Sequence, residues 1–436
     1  PEAIAGPMRC LLKWSFLALI GLMMLPLIGC DPADSDASRQ PPQVVVDLEH
    51  LCPDVNMVRS AAGDCICRRG FASVDGVCAP IEEDARQHDD AGSTWTILVY
   101  MVADNNLEPF GLQDIEEMVR VGNSASLNIV IQADRAAAYA DGGVADLGDW
   151  TTVKRLHVDN GGLTELDDLG ELNMGNPATL ADFISWGTTA WPADRTAIIL
   201  WDHGASWPGF GGDESTASLD MLDLRELAMA FEAGLSAGGL DEFDIIGFDA
   251  CLMGSWETAS TLAPYGEFFI ASEDLEPGHG WDFTSLRTLL TDPSRLPEDL
   301  GRDIVDGFAS QGAQAGTGHT LTLSLVDLYR VTAVTSALEE LSEQMVGNLA
   351  IGLPAIATAR MNTLTFGNNA DPTAAFHMMD LSQFGQNLST STPALSGAAS
   401  ALVDALSAAI RHHIAGSAVA RARGMSIYFP LQPALY

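Results

Sequence analysis

The most restrictive feature of this 436-residue sequence is a series of apolar runs, rich in branched residues, between residues 94 and 328. The runs are TWTILVYMVA (94–103), LNIVIQAD (127–134), RTAIILWDHG (195–204), FDIIGFDAC (243–251), EFFIASED (267–274) and TLTLSLVDL (320–328). Runs this continuous predict strands that are covered on both faces, as in parallel sheets. The strands therefore need helices on either side of them.

Segments with helical spacing lie between these runs: LQDIEEMVRVG, PATLADFISWGTT, DLRELAMAFEAGL, SWETASTLAPY and EDLGRDIVDGFASQ. Alternation of strands and helices predicts an α/β fold with a mostly parallel sheet and right-handed crossovers. In such sheets the ligand site lies at the carboxyl ends of the strands. At their carboxyl ends, three of the predicted strands are followed by polar or reactive residues, in the motifs ADN, WDHG and FDAC.

The amino-terminal segment has the features of an export signal. Residues 8–30, MRCLLKWSFLALIGLMMLPLIGC, place Arg9 and Lys13 before an apolar stretch. The ending LIGC resembles the lipobox of bacterial lipoproteins, which implies lipidation of Cys30 and attachment to the cell envelope, on its periplasmic or outer face. An ordinary signal anchor and a short transmembrane helix are the alternatives.

Four further cysteines, Cys52, Cys65, Cys67 and Cys78, form a cluster, and an even cluster in an exported chain indicates two disulfides. Their spacing fits a zinc site poorly. Residues 51–80 are predicted to form a small module between polar linkers at 31–50 and 81–93. The segment CICRRGFASVDGVC resembles the second half of an EGF-like module. That resemblance implies the pairs Cys67–Cys78 and Cys52–Cys65, although four cysteines allow three pairings.

Charge excludes several functions. The chain has 21 Lys and Arg residues against 59 Asp and Glu residues, a formal net charge of −38. Nucleic acids and anionic lipid surfaces need basic contacts, so neither is an expected partner. A dinucleotide-binding enzyme is also disfavoured, because MVADNNLE follows the first predicted strand where a G-x-G-x-x-G motif would stand.

Cys251, the last of the seven cysteines, lies far from the others at the end of a predicted strand. His203 lies at the end of another predicted strand. If the two strands are neighbours, both side chains emerge at one sheet edge. A thiol needs a nearby base to become a nucleophile. Gly204 follows the histidine, and its amide together with that of Cys251 could form an oxyanion hole. The pair indicates nucleophilic catalysis, whereas either residue alone would more often be a core residue.

Five blocks of the sequence closely resemble the clostripain-like cysteine peptidases of the caspase/gingipain clan. They are WTILVYMVADNNLE, AIILWDHGASWPGFGGDE, IIGFDACLMGSWE, SEDLEPGHGW and GMSIYFP, and they span most of a predicted domain at 94–436. The resemblance implies a caspase-like three-layer α/β sandwich and hydrolysis of peptide bonds. Carried over to this chain, Cys251 would be the nucleophile, His203 the general acid–base, and the Gly204 and Cys251 amides the oxyanion hole.

The resemblance also implies cleavage after Arg or Lys, with Asp249 in the specificity pocket. Residues i and i+2 of a strand face the same way, so Asp249 can share a site with Cys251. A second acidic residue is expected from Glu273, Asp274 or Asp282. A non-catalytic peptide-binding or adhesion lipoprotein on the same fold is the competing hypothesis.

No metal site is predicted, but some relatives need calcium, and Ca²⁺ prefers clustered oxygen ligands. Acidic residues are so abundant that they single out no site. Asp213, Glu214 and Asp220 are the candidates considered.

Overall fold

The computed structural model describes residues 57–59, 65–67, 71–74, 77–80, 94–215, 219–369 and 375–431. Cys30 with its predicted lipobox, the predicted linkers at 31–50 and 81–93, and Cys52 lie outside these residues, so their roles remain predictions. Among the helices described, none is both long and apolar enough to span a membrane.

The amino-terminal module is represented by two short antiparallel pairs. Met57–Arg59 pairs with Cys65–Cys67, and Phe71–Val74 pairs with Val77–Pro80. A Cys67–Cys78 disulfide joins the two pairs, with 5.5 Å between the Cα atoms. The structure thus contains one of the two bridges that the EGF-like resemblance implies. The other bridge would require Cys52.

A large sheet forms the centre of the remaining chain. In the described residues its strands are β1 (Trp95–Ala103), β2 (Leu127–Arg135), β3 (Lys154–Asp159), β4 (Gly162–Asp168), β5 (Arg195–Trp201), β6 (Phe243–Asp249), β7 (Gly266–Ala271), β8 (Thr322–Asp327) and β9 (Ile410–Ala415). Their spatial order is β9-β8-β7-β6-β5-β1-β2-β3-β4. The five central strands, from β7 to β2, are parallel. The two strands at each edge pair antiparallel.

Helices cover both faces of the sheet. They are α1 (Glu108–Val121), α2 (Pro177–Ala190), α3 (Leu224–Gly238), α4 (Trp256–Leu262), α5 (Thr288–Thr291), α6 (Pro297–Ala315), α7 (Val331–Gly347), α8 (Leu349–Asn362), α9 (Leu381–Ser391) and α10 (Pro393–Ala409). Side chains of β1 alternate between two cores. Leu98 and Tyr100 face the core that contains residues of α2 and α3, whereas Ile97 and Val99 face the core of α1 and α6. The result is the expected three-layer α/β sandwich.

The predicted strands and helices are confirmed, with shifted ends, and three strands of the large sheet were not predicted. None of the three has a continuous apolar run. Strands β4 and β9 are the partly exposed edges of the sheet, where polar and charged residues discourage further pairing, and the buried β3 carries Lys154, Arg155 and His157. Strand β8 was predicted, and it pairs antiparallel.

The sheet topology predicts a crevice at the carboxyl ends of β1 and β5. The chain runs from β1 to β2 on one side and later returns to β5 on the other side of β1. Such a reversal of strand order opens a crevice outside the strand ends, where α/β proteins bind ligands. The residues that follow β1 and β5 here include Asn106 and His203.

Candidate active site

His203 and Cys251 occupy equivalent positions on neighbouring parallel strands. Trp201 of β5 and Asp249 of β6 are register partners, and the Asp202 amide donates to the Asp249 carbonyl at 3.3 Å. His203 and Cys251 each lie two residues beyond this pair. The condition for a shared site, that their strands are neighbours, is therefore met, although both residues lie just past the strand ends rather than within them.

Cys251 sits in a tight turn that presents its thiol. Leu252, the next residue, has a left-handed backbone with φ of 64°, a conformation that costs a residue with a side chain roughly 1–2 kcal/mol. The Leu252 amide donates to the Asp274 carbonyl at 3.1 Å, which holds the turn. The thiol is half-buried, and the Glu276 amide donates to its Sγ at 3.3 Å.

The His203 ring is oriented by Asn106, a residue that sequence reasoning did not assign a role. Nε2 of His203 lies 3.0 Å from the Asn106 Oδ1. An amide oxygen only accepts hydrogen bonds, so Nε2 carries the hydrogen and Nδ1 keeps a free lone pair. The neighbouring Asn105 donates to Asp202 Oδ1 at 2.8 Å, which joins the loop after β1 to the loop after β5.

Burial keeps both reacting groups neutral in the resting protein. It is the main cause of a raised pKa for the Cys251 thiol, to which Asp274 and Asp249 add. Burial also lowers the pKa of His203, against a smaller opposite effect of Glu214. The resting pair is therefore a thiol and a neutral imidazole, so attack on a substrate requires proton transfer.

Gly204 brings the two loops into close approach. A methyl group at this position would lie 2.2 Å from the Cys251 carbonyl oxygen and 2.8 Å from Cγ of Met253. Gly204 also faces Phe210 in a bridge whose hydrogen bonds are made by the flanking residues. Among the residues that the structure describes, neither the Gly204 amide nor the Cys251 amide donates to another residue. Both donors can serve a ligand.

A group of buried carboxylates, the acidic pocket, adjoins the thiol and consists of Asp249, Glu276 and Asp114. Asp249 is almost fully buried, and it accepts the Trp281 amide at 3.1 Å. Burial raises its pKa to about 7. The Glu276 carboxylate lies beside it, and burial followed by the charge of Asp249 raises the pKa of Glu276 well above its usual range.

Asp114 of α1 completes this pocket. A methyl group on Gly280 would lie 2.9 Å from oxygens of both Asp114 and Asp249, so the two carboxylates flank this glycine. Its φ of 58° is left-handed, which also favours glycine there. The Asp114 carboxylate accepts a hydrogen bond from Nε1 of Trp201 at 2.7 Å. Burial and the charge of Asp249 raise the pKa of Asp114.

Two of the three candidates for a second pocket residue, Glu273 and Asp282, do not lie beside Asp249. The third, Asp274, accepts the Gly367 amide at 3.1 Å. Glu273 is buried elsewhere, where it accepts the Gly424 amide at 2.7 Å and lies beside Asp380. Asp282 caps a short 3₁₀ helix by accepting the Thr284 amide at 3.0 Å. The acidic residues beside Asp249 are instead Glu276 and Asp114. Glu276 lies inside the quoted block SEDLEPGHGW, but nothing in the sequence distinguishes it from its acidic neighbours.

The sandwich fold, with His203 and Cys251 past the ends of neighbouring strands, agrees with the family found by sequence comparison. The chain belongs to the Clostripain family, whose sequence model matches residues 99–432. Clostripain of Hathewaya histolytica is 29% identical over 220 residues, which are 44% of this chain and 41% of that protein. The match thus spans less than half the length of this curated relative.

Solved structures show the same fold. A secreted C11 cysteine protease from Bacteroides thetaiotaomicron, in complex with an irreversible peptide inhibitor, aligns with a TM-score of 0.57 and 18% identity over 78% of this chain and 93% of that one. An inactive zymogen C11 protease from Parabacteroides distasonis aligns with a TM-score of 0.59 and 18% identity over 78% and 94% of the chains. At these identities the likeness concerns the fold.

Proposed function

We propose that this protein is a cysteine endopeptidase of the caspase/gingipain type that cleaves peptide bonds after Arg, and less readily after Lys. The observation that carries the proposal is the position of Glu276. Its amide donates to the Cys251 thiol, while its carboxylate lies beside Asp249. A cationic side chain held by these two carboxylates would place its own carbonyl group near the nucleophile.

The acidic pocket suits a guanidinium better than an ammonium. Buried carboxylates that repel one another are stabilised by a cation placed between them. Arg presents a planar fork of donors that can bind two carboxylates at once, whereas Lys offers a compact point charge. Asp249 and Glu276 supply two adjacent carboxylates, and Asp114 adds further negative potential.

The proposed reaction begins with the neutral pair. Cys251 transfers its thiol proton to Nδ1 of His203 as Sγ bonds to the carbonyl carbon. The Gly204 and Cys251 amides then hold the oxyanion. The imidazolium returns the proton to the leaving amine as the C–N bond breaks, which leaves a thioester. Water hydrolyses the thioester, releases the new carboxylate and restores the thiol.

The proposed location is the bacterial cell envelope, with a lipid anchor at Cys30. Support comes from the sequence of residues 8–30 alone, since this segment lies outside the described residues. One structural relative is described as secreted, which is consistent with export. Protein or peptide substrates with exposed basic residues are the proposed partners.

The test compares fluorogenic peptides that end in Arg, Lys, Leu or Asp. Wild-type protein, Cys251→Ala and Asp249→Asn would be assayed with reductant and calcium present. We expect cleavage after Arg that disappears in Cys251→Ala and falls selectively in Asp249→Asn. Cleavage after Leu or Asp instead would refute the pocket assignment. No turnover of any peptide would favour a non-catalytic peptide-binding lipoprotein.

A further inference from the structure

The loop that follows His203 presents a large aromatic side chain to solvent beside the candidate active site. Trp207, four residues after the histidine, is 48% exposed. Single exposed apolar residues are common at protein surfaces, so exposure by itself gives Trp207 no role. Its fixed position and its neighbours indicate one.

A tight hairpin fixes the backbone around Trp207. The Ala205 amide donates to the Gly209 carbonyl at 3.0 Å, and the Gly209 amide donates to the Ser206 carbonyl at 3.0 Å. Ser206 has a left-handed backbone with φ of 63°, which is unfavourable for a residue with a side chain. Its buried hydroxyl donates to the Ser255 hydroxyl at 2.9 Å and holds the hairpin against the start of α4. Such strain persists where the surrounding structure imposes it, so Trp207 is presented in one place.

Tyr428 supports the exposed ring. The two rings meet edge to face, with 5.4 Å between their centroids and 62° between their planes. The Tyr428 amide donates to Glu257 of α4 at 2.9 Å. Tyr428 and Cys251 both pack against one small apolar cluster, whose buried members are Leu252, Phe366, Met378 and Ala422. The aromatic pair, Trp207 and Tyr428, therefore adjoins the nucleophile.

The aromatic pair and the acidic pocket lie on opposite sides of the sheet edge. Asp114 of the acidic pocket belongs to α1, which packs in one core, whereas the aromatic pair is held by α4, which packs in the other core. Successive side chains of an extended peptide point to opposite sides. An Arg side chain in the acidic pocket would therefore direct the side chains of its two neighbours toward the aromatic pair.

His203 distinguishes between these two neighbours. In the proposed reaction His203 gives a proton to the leaving amine, so the chain after the cleaved bond passes over the His203 loop. Trp207 belongs to that loop. Strand β7, which leads to Glu276, lies on the other side of β6, away from β5 and the histidine. The side chain that meets Trp207 is thus the one directly after the cleaved bond.

The composition of the two segments that carry the aromatic pair favours an apolar side chain there. GASWPGFGG (204–212) and MSIYF (425–429) contain no charged residue, in a chain where 18% of the residues are charged. A charged side chain between them would lose water without gaining a partner. Leu or Phe would instead bury apolar area against both rings.

We propose that Trp207, supported by Tyr428, selects substrates with a large apolar residue directly after the cleaved Arg bond. The inference rests on the proposed peptidase function and adds a second specificity site to it. Both rings are already ordered, so binding there would immobilise little of the protein.

Cleavage of matched peptides tests the proposal. Internally quenched peptides would share one sequence with a single Arg and differ only in the next residue, which would be Phe, Leu, Ser or Asp. We expect kcat/KM for the Phe and Leu peptides to exceed that for the other two at least about tenfold. Equal rates, or a preference for Ser or Asp, would overturn the proposal. Selectivity confined to the residue before Arg, measured with a second set varied there, would overturn it as well.

Variants assign the preference to Trp207. Trp207→Ala should reduce the ratio of kcat/KM between the Phe and Ser peptides to less than about threefold, whereas Trp207→Phe keeps an aromatic ring and should retain most of it. Met229→Ala, on α3 and similarly exposed at 52%, is the control and should keep the wild-type ratio. An unchanged ratio in Trp207→Ala would contradict the assignment. Equal losses for both peptides in Trp207→Ala and Trp207→Phe would show a merely structural role.

Binding to the inactive protein separates this proposal from the proposed catalysis. Cys251→Ala would be titrated by calorimetry with the uncut Phe and Ser peptides. We expect a Kd at least about tenfold lower for the Phe peptide, and no such difference once Trp207→Ala is added. This preference without any cleavage by the wild type would support the aromatic pair while refuting the peptidase. Cleavage after Arg with equal affinities for the two peptides would do the reverse.

Discussion

A methyl group on Gly204 would lie 2.2 Å from the carbonyl oxygen of Cys251, well inside van der Waals contact. The residue after the histidine must therefore lack a side chain for the loops that carry His203 and Cys251 to approach as they do. The same approach sets both free amides at one edge of the sheet. This relationship connects the spacing of the sequence motifs to the proposed oxyanion hole.

Gly204→Ala should abolish most activity because the loops would have to separate. We expect kcat/KM for an Arg peptide to fall at least about 100-fold, the usual effect of losing one oxyanion donor. Gly148→Ala is the control, since nothing lies within 4 Å of a methyl group there. Near-normal turnover by Gly204→Ala would argue against a role for this amide.

Asn106 should act as a positioning residue for His203. In Asn106→Ala the imidazole loses the acceptor that fixes its tautomer, so kcat should fall on the order of tenfold to 100-fold with little change in KM. Asn106→Asp keeps an acceptor and adds a negative charge that stabilises the imidazolium. Its kcat should therefore recover, with the acidic limb of the kcat–pH profile, which reports the enzyme–substrate complex, moved to higher pH. An unmoved limb would show that the contact is merely structural.

Recognition of Arg should depend on the ionisation of the Asp249–Glu276 pair. Because burial raises the pKa of Asp249 to about 7 in the free protein, the carboxylate needed by a cation is protonated at lower pH. For an Arg peptide, kcat/KM should rise as pH increases through about 7, and Asp249→Asn should lose this rise. His203 cannot cause it, since its pKa is lowered. A flat profile in the wild type would contradict the assignment of the pair.

Glu257 should make stability depend on pH. It accepts the Tyr428 amide at 2.9 Å, and burial raises its pKa from 4.5 to about 7. The folded state therefore holds this proton more tightly than the unfolded state. The resulting stabilisation is present at low pH and is lost as pH rises from 4.5 to about 7.

Glu257→Gln should remove this dependence while keeping an acceptor for Tyr428. Between pH 4.5 and 7, the difference in free energy of unfolding between variant and wild type should change by up to about 3 kcal/mol in favour of the variant. Denaturant titrations at several pH values would measure it, with the exposed Glu116→Gln as control. Parallel curves for Glu257→Gln and wild type would refute the prediction.

The local pattern of apolar residues in the sequence predicted much of the fold. The apolar runs located β1, β2 and β5 to β8, because strands buried on both faces must be apolar throughout. The edge strands β4 and β9 were missed, since partly exposed strands lack that signal, and β3 was missed because it carries Lys154, Arg155 and His157. The spatial order of the strands in the sheet could not be predicted from the sequence either, because it depends on pairing between segments that are far apart in the chain.

The sequence by itself determined the α/β class, the strand ends that carry His203 and Cys251, and the glycine between the loops. These features rest on residue type and short spacing, which act locally along the chain. Only the tertiary structure decided that Glu276 rather than Glu273 lies beside Asp249, that Asn106 orients the histidine, and that Trp207 packs against Tyr428. In a chain with 59 acidic residues, composition cannot distinguish one carboxylate from another. Which carboxylates lie together depends on the register of β1, β5 and β6 and on the course of the loops beyond these strands.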